Sequence, residues 1–199
     1  MMVLHLVLLG DSVFDNQAYV ATGRAVIDHV RAGLPGGAQA TLLAVDGDVT
    51  TDVARQMRHL PADATHLALS VGGNDALGAL PALQAPSSSV LQALDVLAAL
   101  QSTFRHNYRD ALLTLAEAGL PCVVCTVYDA VPGLTPALRT ALSVYNDVIT
   151  REALRLGLPV LDLREWLTEP TDYSSQSPIE PSDAGGYKIA RALLDWSHP

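Results

Sequence analysis

Positive charge is the scarcest feature of this sequence. Lysine and arginine together number 12 among 199 residues, whereas aspartate and glutamate number 21, so the formal net charge is -9. An acidic surface repels phosphate backbones, and the chain carries neither a basic run nor basic residues interleaved with aromatic ones. We therefore expect no nucleic-acid partner.

Long apolar runs are also missing. No uninterrupted apolar run approaches the roughly 20 residues that cross a bilayer. The run from Val3 to Leu9 is short, has no basic leader and continues straight into a glycine turn. Its removal as a signal peptide would delete a strand. These absences predict a cytoplasmic protein that has no membrane partner.

Cysteine is limited to Cys122 and Cys125, whose C-x-x-C spacing invites a redox interpretation. The surrounding segment, Pro121 to Val127, is apolar and rich in valine, which is typical of a strand. Residues three apart on a strand point to opposite faces, so the two thiols should not meet. We expect two buried core cysteines rather than a redox pair.

Several motifs of catalysis and cofactor binding are absent as well. The chain has no G-x-S-x-G nucleophile elbow, no P-loop, no G-x-G-x-x-G and no histidine pair at zinc spacing. We therefore expect neither a cofactor nor a bound metal ion.

What is present is a regular alternation of apolar runs with amphipathic segments. With 49% hydrophobic residues, the chain can build one domain with a sizeable core. The runs predicted as strands are Val3–Leu9, Ala40–Val45, His66–Val71, Cys122–Val127 and Pro159–Leu163. The alternation predicts a three-layer α/β/α fold with a five-stranded parallel sheet. We expect the flavodoxin-like strand order 2-1-3-4-5 and a single domain over residues 1–199.

The segments between the strands predict helices over Gln17–Ala32, from Asp48 to Arg58, and over Val90–Ala118, Thr135–Leu156 and Asp183–Trp196. The least regular stretch, Gly78–Ser89, follows the third strand closely and should flank any site at that edge of the sheet. Among the predicted walls of such a site, it is the only one long enough to move. Leu77, Leu80 and Leu83 either line an acyl pocket or pack on the sheet.

Three small or polar residues follow the first three strands in turn. Ser12 leaves the first strand, Gly47 the second and Asn74 the third. Open α/β sheets hold their ligands at the carboxyl ends of their strands. Taken alone, Ser12 and Asp11 are explained more simply as helix caps, because both residue types are favoured there.

Taken together, the three segments resemble the signatures of the GDSL, or SGNH, hydrolase family. The likeness rests on GDS at 10–12, the lone glycine at Gly47 and GGND at 72–75, and it extends over nearly the whole chain. It implies that Ser12 is a nucleophile. It also implies an oxyanion hole made by the backbone N–H groups of Ser12 and Gly47 and the side-chain amide of Asn74.

The fourth signature of that family, DxxH, is replaced by SPIE at 177–180. Glu180 therefore stands where the resemblance places the catalytic histidine, and Ser177 stands where it places the aspartate that orients that histidine. A carboxylate accepts a proton without a tautomer to fix, so the two changes are consistent with each other. Because an unperturbed glutamate has a pKa of ~4.3, we expect burial, or repulsion from Asp11 and Asp75, to raise it.

No histidine is placed to act instead. His5 lies at the far end of the first strand from Ser12, and His66 lies at the amino edge of the sheet. The remaining histidines fall in helices, at helix ends or in the C-terminal tail, and they are His29, His59, His106 and His198. We interpret all six as surface or packing residues.

Three functions remain in view. The leading hypothesis is a serine hydrolase of small carboxylic esters, including acetyl groups on a sugar, with an open, shallow site that handles long-chain lipids poorly. The second is a non-catalytic binding protein in which Glu180 merely starts a helix. The third is a metal-dependent phosphoesterase that uses the acidic residues at the sheet edge. These residues are Asp11, Asp15, Asp46, Asp48, Asp75 and Asp129. Roles as helix caps and turn residues explain most of them better. The sequence does not indicate an oligomeric state.

Overall fold

A computed structural model describes residues 3–197 and contains a five-stranded, all-parallel sheet. The strands are β1 (His5–Gly10), β2 (Gln39–Leu42), β3 (His66–Ser70), β4 (Cys122–Cys125) and β5 (Val160–Leu161). Their spatial order is β2-β1-β3-β4-β5, and every neighbouring pair is parallel. The predicted α/β fold class and the predicted strand order are confirmed. His198 lies outside the described residues.

Seven α-helices connect or cover these strands within residues 3–197. They are α1 (Val26–Gly33), α2 (Val53–Met57), α3 (Gly73–Gly78), α4 (Leu80–Leu83), α5 (Val90–Ala116), α6 (Pro136–Arg155) and α7 (Asp183–Ser197). Short 3-10 turns occur at Gln17–Tyr19, Thr50–Asp52, Leu163–Glu165 and Pro170–Asp172. No helix in the described part of the chain is both long and apolar enough to cross a membrane.

The two faces of the sheet carry separate cores, because alternate strand residues point in opposite directions. Leu6 and Leu8 of β1 pack with α1 and α7 on one face. Val7 and Leu9 pack with α2, α5 and α6 on the other. Cys125 belongs to the first core and Cys122 to the second, and both are buried and free. The prediction that these thiols do not meet is confirmed.

The helix predicted over Gln17–Ala32 is interrupted. Only Gln17–Tyr19 and then Val26–Gly33 are helical, and Ala21 between them has a φ of 47°. Two tertiary contacts fix the break. The buried side chain of Asn16 accepts a hydrogen bond from Val26 N at 2.9 Å, and Gly23 lies so close to Asp183 that a Cβ there would be 2.8 Å from that side chain. Helical periodicity carries no information about such contacts.

The end of β1 is shaped by close backbone approach. Gly10 has a φ of 126°, and a Cβ at this position would lie 1.8 Å from the carbonyl oxygen of Ser70 at the end of β3. The Asp11 N–H then donates to the same oxygen at 3.1 Å. Because only glycine fits this geometry, the chain turns sharply at the strand end and leaves Ser12 at the carboxyl edge of the sheet.

Candidate active site

Ser12 and Glu180 meet at the carboxyl edge although 168 positions separate them in the sequence. The Ser12 Oγ–H donates to Glu180 Oε1 at 3.0 Å, and both residues are buried, with 6% and 5% of their surface exposed. A carboxylate at this distance can accept the hydroxyl proton directly. Glu180 Oε2 is buried and has no hydrogen-bond partner within residues 3–197.

The loop that carries Glu180 is fixed by its own backbone and by two buried side chains. Glu180 N donates to Ser177 O at 2.9 Å, and Ser174 N donates to Glu180 O at 2.8 Å. Tyr128 donates its hydroxyl to Ile179 O at 2.6 Å, and Asn16 donates its amide to the carbonyl of the next residue, Pro181, at 3.0 Å. The carboxyl group is therefore held on both sides rather than placed on a free loop.

The surroundings of Glu180 favour its neutral form more than water does. Burial raises the pKa of Glu180 to about 7, the hydrogen bond from Ser12 opposes this rise, and the negative charge of Asp46 adds to it. A base with a pKa near 7 is well matched to proton transfer at neutral pH. The expectation that burial raises this pKa agrees with the structure, and the repelling charge of Asp46 was not foreseen.

Two backbone donors at the strand ends point to no acceptor. Within residues 3–197 neither the Ser12 N–H nor the Gly47 N–H makes a hydrogen bond, although their neighbours do. Gly47 has a φ of 85° and lies on an exposed turn. That turn is tied to the residues after Ser12, because Asp46 N donates to Asp15 Oδ2 at 2.9 Å and the Tyr19 hydroxyl donates to Asp46 Oδ2 at 2.7 Å.

Asn74 is held by its side-chain amide. Its Nδ2 donates to the carbonyl oxygen of Asp48 at 2.9 Å, which occupies one of the two amide hydrogens. Ser12, Asn74 and Glu180 line one pocket, whereas Gly47 lies outside its lining. The catalytic roles assigned to Ser12, Gly47, Asn74 and Glu180 remain predictions.

A buried glutamine, Gln56 of α2, lies behind these residues. Gly10 N donates to Gln56 Oε1 at 2.8 Å, and Gln56 Nε2 donates to Gly10 O and to Asp48 Oδ2, both at 2.7 Å. Since Asp48 O accepts from Asn74, the glutamine connects the Ser12 turn with the turn that holds Asn74. Sequence reasoning missed Gln56, which stands in a short polar stretch that gives no sign of burial.

Two of the carboxylates at this edge already have partners within the protein. Asp48 pairs with Arg55 at 2.6 Å, and Asp75 accepts hydrogen bonds from the backbone and hydroxyl of Thr50 at 3.0 and 2.8 Å. Among the described residues no three His, Cys, Asp or Glu side chains are arranged to hold a metal ion. This arrangement fits the cap interpretation better than it fits the phosphoesterase hypothesis.

An apolar pocket of about 280 Å³ opens beside Ser12. Its first wall contains Leu77, Leu80 and Leu83, so these leucines line the pocket, as one of the two sequence interpretations had it. The second wall is the segment from Val131 to Leu142, and it was missed. Gly78–Ser89 therefore supplies part of one wall only, and the prediction that it can move stays a prediction. The spacing of Leu134, Leu138 and Leu142, one helical turn apart after a Pro-Gly pair, was the available signal.

Comparison with known proteins identifies a family and a fold. The family described as the GDSL-like lipase/acylhydrolase family matches residues 8–187. No curated protein sequence matches the chain. Among solved structures, an extracellular lipase from Streptomyces rimosus is similar, with 18% identity, a TM-score of 0.70 and coverage of 96% of this chain and 99% of that one.

Two further solved structures have the same fold. A member of the lipolytic G-D-S-L family from Veillonella parvula is 14% identical with a TM-score of 0.72, and the match covers 98% of this chain and 100% of that one. A variant of an acetyl xylan esterase from Geobacillus stearothermophilus is 16% identical with a TM-score of 0.67, covering 98% and 96% of the two chains. At these identities the structures support the fold and leave the substrate open.

Proposed function

The chain belongs to the GDSL-like lipase/acylhydrolase family, and from this premise we propose that it is a serine hydrolase of small carboxylic esters in which Glu180 is the general base. The observation that carries the proposal is the 3.0 Å hydrogen bond from the Ser12 hydroxyl to Glu180 Oε1. It supplies the nucleophile with a proton acceptor, and no histidine within residues 3–197 lines the pocket beside Ser12.

The reaction proceeds in two halves. Ser12 Oγ attacks the ester carbonyl carbon while its proton passes to Glu180, and the resulting oxyanion accepts hydrogen bonds from the backbone of Ser12 and Gly47 and from Asn74. Collapse of this intermediate expels the alcohol, which takes the proton from Glu180. A water molecule then attacks the acyl-serine, gives one proton to Glu180, and the acid is released as Ser12 regains its hydrogen.

The unpaired N–H groups of Ser12 and Gly47 support this assignment, because a preorganised donor without an internal acceptor is available to the oxyanion. Asn74 retains one amide hydrogen after its bond to Asp48 O. Loss of one such donor typically lowers turnover by ~10²–10³.

The test is hydrolysis of p-nitrophenyl acetate and p-nitrophenyl butyrate, each with and without EDTA. We expect Ser12→Ala to abolish turnover, and Glu180→Gln to lower it by ~10²–10⁴ because Gln keeps the shape of Glu but accepts no proton. Glu117→Gln, on an exposed position between α5 and the start of β4 and so at the opposite edge of the sheet from Ser12, is the matched control and should leave the rate unchanged.

Each alternative gives a different result. A Ser12-dependent rate that survives Glu180→Gln removes Glu180 as the base. Absence of any Ser12-dependent rate on short acyl esters favours the non-catalytic binding protein. Hydrolysis of p-nitrophenyl phosphate that EDTA abolishes, with no rate on the carboxylic esters, favours the metal-dependent phosphoesterase.

A further inference from the structure

The lining of the pocket beside Ser12 is almost entirely apolar outside the site already described. Four of its lining residues belong to the site already described, namely Asp11, Ser12, Asn74 and Glu180. Every other lining residue is a glycine or has a hydrocarbon side chain, apart from Tyr128, whose hydroxyl is already donated to Ile179 O. A sugar or polyol placed here would lose its hydrogen bonds to water without replacement.

We propose that this pocket binds an unbranched aliphatic acyl chain of medium length, so that the preferred substrate is a medium-chain fatty ester rather than an acetyl ester. The inference rests on the proposed function, because it places the ester carbonyl at Ser12 and the acyl chain between the two apolar walls. The alcohol then lies outside the pocket.

The size of the pocket sets the length of the chain. Its volume of about 280 Å³ lies just below the roughly 300 Å³ at which pockets for drug-sized ligands begin. An acetyl methyl would leave most of that space unfilled, and a long lipid tail would extend beyond the walls into water. An octanoyl group is therefore a suitable probe, because it is long enough to contact both walls.

The second wall contains a small residue whose enlargement should shorten the acyl chain that the pocket accepts. Leu138, Ala141 and Leu142 of α6 all line the pocket, and Ala141 is the smallest side chain among them. Leu142 also packs against the core under the sheet. A larger side chain at position 141 should therefore fill pocket space. Leu142 cannot move aside to restore that space, because it is packed against the core. Ala137, one turn earlier on the same helix, is exposed and does not line the pocket.

The first experiment measures binding without catalysis. Ser12→Ala is titrated by calorimetry with methyl acetate, butyrate, hexanoate, octanoate and dodecanoate, which are neutral and so avoid repulsion by Asp11 and Glu180. We expect the dissociation constant to fall by roughly fourfold per added methylene up to octanoate, and then to level off. A dissociation constant that does not change with chain length overturns the proposal.

The second experiment measures kcat/KM on the matching p-nitrophenyl esters. The wild type should be fastest on octanoate, Ala141→Leu should shift the optimum to butyrate and lose at least tenfold on octanoate, and Ala137→Leu should keep the wild-type profile. Leu83→Ala should move the optimum toward longer chains, and far-ultraviolet circular dichroism checks that each variant is folded. A wild-type optimum on acetate, or an optimum that Ala141→Leu leaves in place, overturns the proposal.

The two experiments separate this inference from the proposed function. If the chain-length dependence of binding is found but no ester is hydrolysed, the acyl-binding pocket stands and the hydrolase proposal fails. If esters are hydrolysed with Ser12 dependence but at rates independent of acyl length, the hydrolase stands and the medium-chain inference fails.

Discussion

At the scale of single residues, Glu180 has the position of a base but not the chemistry of a histidine. An imidazole needs a partner on its second nitrogen to set its tautomer, whereas a carboxylate has two equivalent oxygens. Here Oε1 accepts from Ser12 while Oε2 is buried without a partner within residues 3–197. The serine at position 177 has no tautomer to control, and its carbonyl instead holds the Glu180 backbone at 2.9 Å.

The pKa of Glu180, raised by burial to about 7, leads to a prediction about rate and pH. A general base acts only when deprotonated, so kcat/KM on a p-nitrophenyl ester should rise tenfold per pH unit below 7 and level off above it. The profile is measured from pH 5 to pH 8, with the spontaneous hydrolysis subtracted. In Glu180→Gln the residual kcat/KM should no longer show this rise and plateau, which we call the pH step.

A profile whose pH step persists in Glu180→Gln would assign the titration to another group. His106→Gln, at an exposed position that does not line the pocket, serves as a second control. The pH step should be unchanged in that variant.

At the scale of elements, most of what positions the site follows from strand ends and little of it from helices. The parallel strands β1, β2 and β3 bring the segments carrying Ser12, Gly47 and Asn74 to one edge, and alternation of apolar runs was enough to predict this. The contacts made by Gln56 depend instead on how α2 packs against β1. Sequence spacing does not encode that packing, so the glutamine could not be identified in advance.

The network around Gln56 leads to a prediction about positioning. Gln56→Leu leaves Gly10 N without its acceptor, and a buried unsatisfied group of this kind costs about 1–3 kcal/mol. Gly10 O keeps the hydrogen bond from Val45 N, and Asp48 Oδ2 keeps the one from Arg55. We expect a lower free energy of unfolding and a fall in kcat of roughly tenfold or more, with KM little changed. Chemical denaturation and steady-state kinetics measure these two effects.

Gln56→Glu distinguishes positioning from general destabilisation. The new carboxyl group can donate to Gly10 O or Asp48 only when it is protonated, so the ratio of variant to wild-type kcat/KM should rise as the pH is lowered toward 5. Arg58→Leu, next to the same helix, should keep a constant ratio. If the Gln56→Glu ratio does not depend on pH, the glutamine has only a packing role.

At the scale of the whole molecule, the sequence predicts the layers because a parallel sheet must be covered by helices on both faces, and it predicts the strand order from the flavodoxin-like arrangement. The pocket is harder to predict, since its second wall comes from Val131–Leu142, the end of the segment after β4 and the start of α6, more than 45 positions from Leu83 along the chain. Leucines one turn apart on α6 are compatible with core packing or with a pocket lining. Only the distance between α4 and α6 in the folded chain decides between them.

Buried carboxyl groups at the sheet edge also make the stability of the whole protein depend on pH. Burial raises the pKa of Asp11 from 3.8 to about 8, the hydrogen bond from Val13 N opposes this rise, and the charges of Glu180 and Asp75 add to it. Between these two values the folded state keeps a proton that the unfolded state has released. The free energy of unfolding should therefore fall as pH rises through this window, by at most about 1.4 kcal/mol per pH unit from this group.

Asp11→Asn tests this linkage, because Asn is neutral at every pH and its Oδ1 can still accept from Val13 N. The stability contribution of the proton on Asp11 is fully present below pH 3.8 and is lost as pH rises toward 8. The variant should therefore match the wild type only below pH 3.8, be more stable than it at pH 5, and become progressively more so up to pH 8. Denaturant unfolding at each pH measures the difference, and the exposed Asp95→Asn should track the wild type throughout. Because Glu180 is present in both proteins, its own titration largely cancels in the comparison. A stability difference that stays constant from pH 5 to pH 8, or that grows toward acid pH, would show that Asp11 is ionised in the folded protein across this range.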